Sequence, residues 1–260
     1  MESREGLNVA RKVLAFLRKR RADVVLEEGC ARAMGRKGVP LRDMKVDVMV
    51  TLGGDGTILR ALQRTGSKIL GINIGVLGFL TELKVGDFEG GLDKLLKGKF
   101  EVERRNKIKV LVDGRRLVDC ANEAVINTAQ VGKMRHFGVH IDGQMASDVR
   151  ADGVIVATST GSTCYSMSVG GPILDPRVDA IVIAPIAPFK LAARPMVVPA
   201  GSRIKVELIE PRSCVLVLDG QDEVELKGDE VLELTTSENV AEFIRFGDNF
   251  YKRIREKLGG

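Results

Sequence analysis

The chain has 260 residues, 44% hydrophobic and 29% charged, enough to bury one large core or two modest ones. Its formal charge of +5 suits a polyanionic ligand, nucleic acid or a phosphorylated small molecule, but with no Trp and only two Tyr it has few surfaces on which bases would stack, which argues against nucleic acid. The longest mostly apolar stretch (180–193) holds two prolines and a lysine and is shorter than the ~20 residues of a membrane span, and residues 1–21 are too charged for a signal peptide, so a cytoplasmic protein with no membrane partner is expected.

In chain order, Leu7, Ala10, Val13, Leu14 and Leu17 recur on one face and predict a helix over 7–17. The basic run Arg18 to Arg21 closes it, where cations complement the helix dipole. Residues 22–28, 46–52 and 68–74 are short, branched apolar runs of the kind found in parallel strands covered on both faces, with a helix starting near Thr57 between the last two. This alternation predicts a Rossmann-like α/β domain over 1–97, although no strand is read ahead of the first helix. Asp-Gly pairs follow at Asp113, Asp142 and Asp219, each between extended segments. They predict an antiparallel β domain over 98–240, because Asp-Gly accepts the positive φ angles of tight hairpins. A strand over 241–246 and a helix capped by Asp248, with Tyr251, Ile254 and Leu258 on its apolar face, predict a tail (241–260) that packs back on the first domain.

Cys30, Cys120, Cys164 and Cys214 are scattered, and His136 and His140 have no cysteine nearby, so no structural zinc site and no metal ligands are assigned. The stretch Gly53-Gly54-Asp55-Gly56-Thr57 sets one carboxylate among glycines where a strand hands over to a helix. Glycines permit close approach and helix N-terminal N–H groups suit phosphate, but a carboxylate there is repelled unless it faces something else. A hydroxyl about to attack phosphorus is such a partner, since Asp55 would orient it and take its proton. The alternative is a turn with Asp55 in an Asx-type bond. The motif fits neither a P-loop nor G-x-G-x-x-G.

Residues 151–172 pack seven Ser/Thr hydroxyls and four glycines around Tyr165, which suits a neutral base or sugar, with a Ser/Thr-rich helix cap as the alternative. No G-x-S-x-G is present, so a serine nucleophile is not expected. Residues 122–127 set Asn122 and Glu123 before a branched run, as a site would or as a plain turn before a strand would.

Taken in order, GGDGTILRA, LGINIGVLGFLTEL, NEAVIN, DGVIVATSTGSTCYSMSVGGPILDP and VLDGQ resemble the NAD kinase family over roughly residues 46 to 250. The resemblance implies an α/β domain followed by a β-sandwich, with the chain end returning to the first domain. It implies phosphoryl transfer from ATP, or from polyphosphate, to the adenosine ribose 2′-hydroxyl of NAD, with Mg²⁺ or another divalent cation. A homodimer or homotetramer whose sites draw on neighbouring subunits is also implied. By motif, Asp55 resembles the acid facing the hydroxyl, with Gly56 beside it. Phe79 resembles the ring near adenine, while Asn122, Thr163 and Ser168 resemble contacts to the adenosine half. Glu123, Asp152, Tyr165 and Ala187 resemble positions along the nicotinamide riboside, Arg150 a basic residue near phosphate, and Asp219 part of a hairpin approaching the site. Family members begin with a strand and a loop that helps cover the donor, whereas this sequence starts at the helix, and Phe189 stands where many relatives have His. A dinucleotide-binding regulator without turnover, or a lipid or sugar kinase sharing only GGDGT, are the other readings.

Overall fold

The computed structural model describes residues 4–75, 78–247 and 250–259. The chain divides into two compact units, Met1–Arg104 with Ala241–Gly260, and Arg105–Val240. No described helix is long and apolar enough to cross a membrane.

In the first unit, α1 (Arg4–Lys19) buries Val9, Ala10, Val13, Leu14 and Leu17 along one face. The short α2 (Glu28–Ala33) is capped by Glu27, whose carboxylate accepts the Cys30 N–H at 2.8 Å. Then β1 (Val48–Leu52), α3 (Asp55–Arg64) and β2 (Lys68–Asn73) form a βαβ unit, with Val48 opposite Lys68 and Leu52 opposite Ile72 in a parallel ladder. β3 (Leu83–Lys84) extends β2 in parallel and leads to α4 (Phe88–Leu96). Leu70 and Ile72 of β2 pack with Val13 and Leu17 of α1 and with Phe88 and Leu92 of α4, so β2 is the central, buried strand.

The strand expected at 22–28 does not form. Only an isolated bridge, Glu27 to Val39, is made there, and α2 already starts at Glu28. A cavity of about 700 Å³ is lined by residues of 22–27, by α1 and by β1. A ladder needs neighbouring backbones about 4.8 Å apart. Residues 22–26 are apolar in pattern, but among the described residues they join no ladder: Leu26 accepts the Val39 N–H at 2.9 Å as part of the isolated bridge.

The second unit is built of antiparallel strands. β4 (Glu101–Val112) turns through Asp113-Gly114 into β5 (Arg115–Arg116), and β6 (Glu123–Thr128) follows. β7 (Arg135–Ile141) turns through Asp142-Gly143 into β8 (Gln144–Ala151), and β9 (Gly153–Thr158) leads to the one-turn α5 (Tyr165–Ser168). β10 (Ala180–Ile186), β11 (Met196–Pro199), β12 (Ile204–Leu208), β13 (Cys214–Leu218), β14 (Asp222–Leu226) and β15 (Leu232–Arg245) complete it. One sheet runs in the order β11-β10-β9-β6-β13-β14. Facing it, β12 pairs with β7 on one side and with the Leu232–Leu234 end of β15 on the other. Ala124, Ile126, Val154, Val156, Ile181 and Leu216 of the first sheet close on Phe137, Val139, Ile204 and Val206 of the second, a sandwich core. β9 is buried on both faces, because Ile155 and Ala157 join a further cluster with Val182 and Ala184 on the far side.

The Asp-Gly pairs expected to turn do so in the left-handed region, with φ of 49° and 75° at Asp113-Gly114, 50° and 83° at Asp142-Gly143, and 53° and 64° at Asp219-Gly220. The first two are two-residue turns. The third is longer, since Leu218 pairs with Asp222.

The tail joins the first unit, where Phe243 of β15 lies opposite Ile69 of β2 in parallel, and α6 (Phe250–Leu258) follows. Asp248, expected to cap this helix, lies outside the described residues. The expected apolar docking face is not what α6 buries: Tyr251 is 62% and Leu258 42% exposed, whereas Arg253 is 6% exposed. Its guanidinium meets Glu82 at 2.9 Å, so the helix docks by a buried ion pair. Leu92→Ala, at a fully buried position, is expected to lower unfolding free energy by about 2–5 kcal/mol in urea titrations. Leu96→Ala, at a position 44% exposed, should shift it by less than about 0.5 kcal/mol, and equal losses would contradict this core.

Candidate active site

The first unit positions Asp55. β1 ends at Leu52, Gly53 donates its N–H to the Ile72 carbonyl, and Gly54 caps α3 without a side chain. Gly53 has φ of 153°, and a Cβ there would stand 2.3 Å from Thr57 Oγ1, so the turn requires glycine. Asp55 therefore opens α3, two residues earlier than the expected start at Thr57, and Gly56 is exposed in its first turn. A carboxylate here is favoured by the helix dipole.

The Asp55 carboxylate is not free. Oδ2 accepts the Phe79 N–H at 2.7 Å and Oδ1 the Leu80 N–H at 3.0 Å. These bonds reach 24 and 25 residues along the chain, so the Asx-type turn is not the arrangement found. Gly78 makes the approach possible, since a Cβ there would lie 1.9 Å from Oδ1. Each oxygen keeps a further lone pair for an outside donor. Phe79 is buried, with Lys257 Nζ 4.2 Å above its ring.

In the second unit Asn122, Glu123 and Asp219 come together, all more than nine-tenths buried. Asp219 accepts the N–H groups of Ala121, Asn122 and Glu123 at 2.8, 2.7 and 3.0 Å, and its own N–H goes to the Glu123 carbonyl. Thr158 Oγ1 donates to the Ala121 carbonyl at 2.7 Å. Gly161 is pressed against this loop, where a Cβ would meet the Asn122 carbonyl at 2.3 Å. Asn122 Nδ2 donates to Cys164 Sγ, but Asn122 Oδ1, Glu123 Oε2 and Ser166 Oγ are buried without a partner among the described residues. Unpaired buried polar atoms are uncommon. Two of them, on the adjacent residues Asn122 and Glu123, are positions that a polar ligand would satisfy.

Burial, and then the nearby Asp219 charge, push the Glu123 carboxyl up to about 8. Burial also raises Asp219, to about 6, while its three backbone N–H bonds and Lys107 pull the other way. At neutral pH Glu123 is therefore a hydrogen-bond donor as well as an acceptor.

Much of the Ser/Thr block works internally. Ser159 Oγ bonds the Val178 carbonyl, Ser162 Oγ bonds the Ser159 carbonyl at 2.7 Å, and Thr163 Oγ1 bonds the Thr160 carbonyl. Thr163 is buried, while Tyr165 and Ser168 on α5 are exposed. A third group lies where β8 meets β9. The Asp152 N–H bonds the Ile186 carbonyl next to Ala187, and the Phe189 N–H bonds the Arg150 carbonyl. Ala187 is in the left-handed region at φ of 45°, uncommon for a residue with a side chain. Glu123 and Asp152 thus stand at opposite ends of the β6–β9 ladder, which pairs Glu123 with Ala157 and Asn127 with Gly153.

The sequence reading did not single out Gly78, Ser166 or Arg253, and it noted Asp219 only as part of a hairpin. Gly78 lay within a quoted motif. Its need for hydrogen at Cα depends on a contact with Asp55, which spacing alone does not show. Asp219 sits at a positive φ in an Asp-Gly pair, a signal that marks a turn whether or not its carboxylate holds another loop.

Two family models match the chain: the ATP-NAD kinase N-terminal domain over residues 2–100 and the ATP-NAD kinase C-terminal domain over residues 121–246. The NAD kinase of Thermoplasma acidophilum is 39% identical over 237 residues, covering 91% of this chain and 87% of that protein. An NAD kinase from Archaeoglobus fulgidus, solved in complex with ATP, superposes with a TM-score of 0.77 at 31% identity over 96% of this chain and 93% of that one. Yeast NADH kinase, solved with NADH, superposes with a TM-score of 0.92 over 99% of this chain and 85% of that one, and at 23% identity it speaks for the fold. The chain belongs to the NAD kinase family.

Proposed function

We propose that the protein is an NAD kinase that transfers the terminal phosphoryl group of ATP, or of polyphosphate, to the adenosine ribose 2′-hydroxyl of NAD, giving NADP. The observation that carries this reading in the site itself is the Asp55 carboxylate, fixed by the Phe79 and Leu80 N–H groups beside the exposed glycines that open α3. The free lone pairs of Asp55 accept the 2′-hydroxyl proton as that oxygen bonds to phosphorus. The bond from phosphorus to the bridging oxygen breaks, and ADP, or a shortened polyphosphate, leaves. A loose transition state of this kind asks mainly for alignment and charge neutralisation. The glycine turn and the α3 N-terminus suit the donor phosphates.

Among the described residues, no group of three or more His, Cys, Asp or Glu is gathered to hold a metal ion. A divalent cation such as Mg²⁺ is proposed to enter with the donor, bound to its phosphates, as is common for this ion.

Gly56 and Phe79 beside Asp55, with Asn122, Thr163 and Ser168, are assigned to the adenosine half. Glu123, Asp152, Tyr165 and Ala187 are assigned to the nicotinamide riboside, and Arg150 to phosphate. The unpartnered Asn122 Oδ1 and Glu123 Oε2 support a ribose or carboxamide as their ligand, since both groups donate hydrogen bonds. The six residues of β6 separate Glu123 from the Asp152 end by roughly 17 Å. That distance supports a homodimer or homotetramer in which each site takes Arg150, Asp152 and Ala187 from a second subunit. A cytoplasmic location is proposed with this reading.

Incubation with NAD, Mg²⁺ and either ATP or polyphosphate should yield NADP, detected with an NADP-specific dehydrogenase. No product with either donor would leave the reading of a dinucleotide-binding protein. Asp55→Asn should retain NAD binding by calorimetry and lose about 10²–10⁴ in turnover, the usual worth of a general base. An unchanged rate would remove Asp55 from the chemistry.

Glu123 makes a pH prediction. Folded, its carboxyl keeps a proton up to about pH 8, whereas its ordinary value is 4.5. The native state holds the extra proton between these values, so stability falls as pH rises through that window. Asp219, raised to about 6, acts in the same direction in the lower part of it. Urea midpoints measured across this range should fall less steeply for Glu123→Gln than for the wild type. Identical slopes would mean that Glu123 is ionised throughout.

A further inference from the structure

We propose that Arg253, on the C-terminal helix α6, is a positioning residue for Asp55, acting through the single peptide unit that joins Phe79 to Leu80. The proposal rests on the reading of Asp55 as the base. Leu80 N–H, one end of that peptide unit, donates to Asp55 Oδ1 at 3.0 Å. The Phe79 carbonyl, its other end, accepts Arg253 Nη1 at 2.7 Å. A trans peptide unit is planar and its N–H and C=O point in opposite directions. The guanidinium and the carboxylate therefore hold one rigid plane from its two sides, and rotation at either end turns the other. A cation on the carbonyl also polarises the unit and strengthens the N–H bond that Asp55 receives.

The neighbouring contacts make this a built device. Arg253 Nη2 bonds Glu82 at 2.9 Å, so both arms of the fork are used. Arg245 Nη1 bonds the Leu80 carbonyl at 2.9 Å and Glu82 at 3.2 Å, and Glu82 also accepts the Phe246 N–H at 2.8 Å. From α6 as well, Lys257 lies over the Phe79 ring. The segment is thus gripped by the tail through the Phe79 and Leu80 carbonyls and the Glu82 carboxylate, and by Asp55 through the Phe79 and Leu80 N–H groups. The Arg253 and Glu82 side chains are 7% and 2% exposed. A buried ion pair is often no more stabilising than apolar packing. A hydrophobic residue would seat the helix but would hold no carbonyl.

The test measures kcat and the KM for NAD of Arg253→Gln, Arg253→Lys, Asp55→Asn and the Arg253→Gln/Asp55→Asn double variant, with urea midpoints taken alongside. Arg253→Gln should lose about ten- to a hundredfold in kcat, the effect of a small misplacement of a catalytic group, with the KM for NAD moving less than about threefold. Arg253→Lys keeps the charge without the planar fork and should lie between it and the wild type. If Arg253 acts through Asp55, the double variant should be no slower than Asp55→Asn alone. Losses that multiply in the double variant, or an unchanged kcat in Arg253→Lys and Arg253→Gln, would overturn the positioning role and leave Asp55 in place as the base. A wild-type rate for Asp55→Asn would instead overturn the reading of Asp55, and this proposal with it. Should Arg253→Gln fail to fold, Arg253→Lys with and without Asp55→Asn completes the same cycle.

Discussion

The proposed chemistry depends on one interaction, the pair of backbone N–H bonds that Asp55 receives from Phe79 and Leu80. A carboxylate on a glycine turn suited to phosphate would be drawn to any cation or repelled from any anion nearby. Held by two amides, it has a direction, and its remaining lone pairs point where the backbone sends them. Gly53 and Gly78 serve this geometry from both sides, each at a point where a Cβ would collide with a neighbouring side chain. The parallel ladder of β1 with β2 carries the turn, and the ion pairs around Glu82 carry the segment that meets it.

The second unit repeats the device in a drier setting. Asp219 gathers the N–H groups of three successive residues and so fixes the loop that presents Asn122 and Glu123. The consequence differs because burial differs. Asp55 is half-buried, whereas Glu123 and Asp219 are enclosed, and burial raises both carboxyls. Burial thereby leaves Glu123 suited to keep a proton at neutral pH.

How much of this could be read from the residues depends on how local each signal is. The apolar runs around Val50 and Leu70 and the glycines between them specify a βαβ unit by spacing, and it forms. The Asp-Gly pairs at 113, 142 and 219 mark turns because the flanking segments are extended and the pair accepts φ above zero, whereas Asp152-Gly153 runs into β9 without such a turn. Residues 22–26 have the composition of a strand, but pairing requires a neighbour that composition does not supply. The tail returns to the first unit as expected, but the docking face of its helix differs for a related reason. Tyr251, Ile254 and Leu258 make an apolar stripe at helical spacing, yet α6 is seated by Arg253, whose partner Glu82 is 171 residues away. In the candidate site, Asp55 and Glu123 were legible from their motifs. The carboxylate bonds that orient Asp55 and the Asn122 loop were not, since each joins segments far apart in the chain.

The most direct measurement is a crystal structure of the protein with NAD bound. An Asp55 oxygen should lie within hydrogen-bonding reach of the adenosine 2′-hydroxyl, about 2.6–3.2 Å, while the bonds from Phe79 and Leu80 persist. A carboxylate turned away from that ribose, with no hydroxyl in reach, would contradict the account.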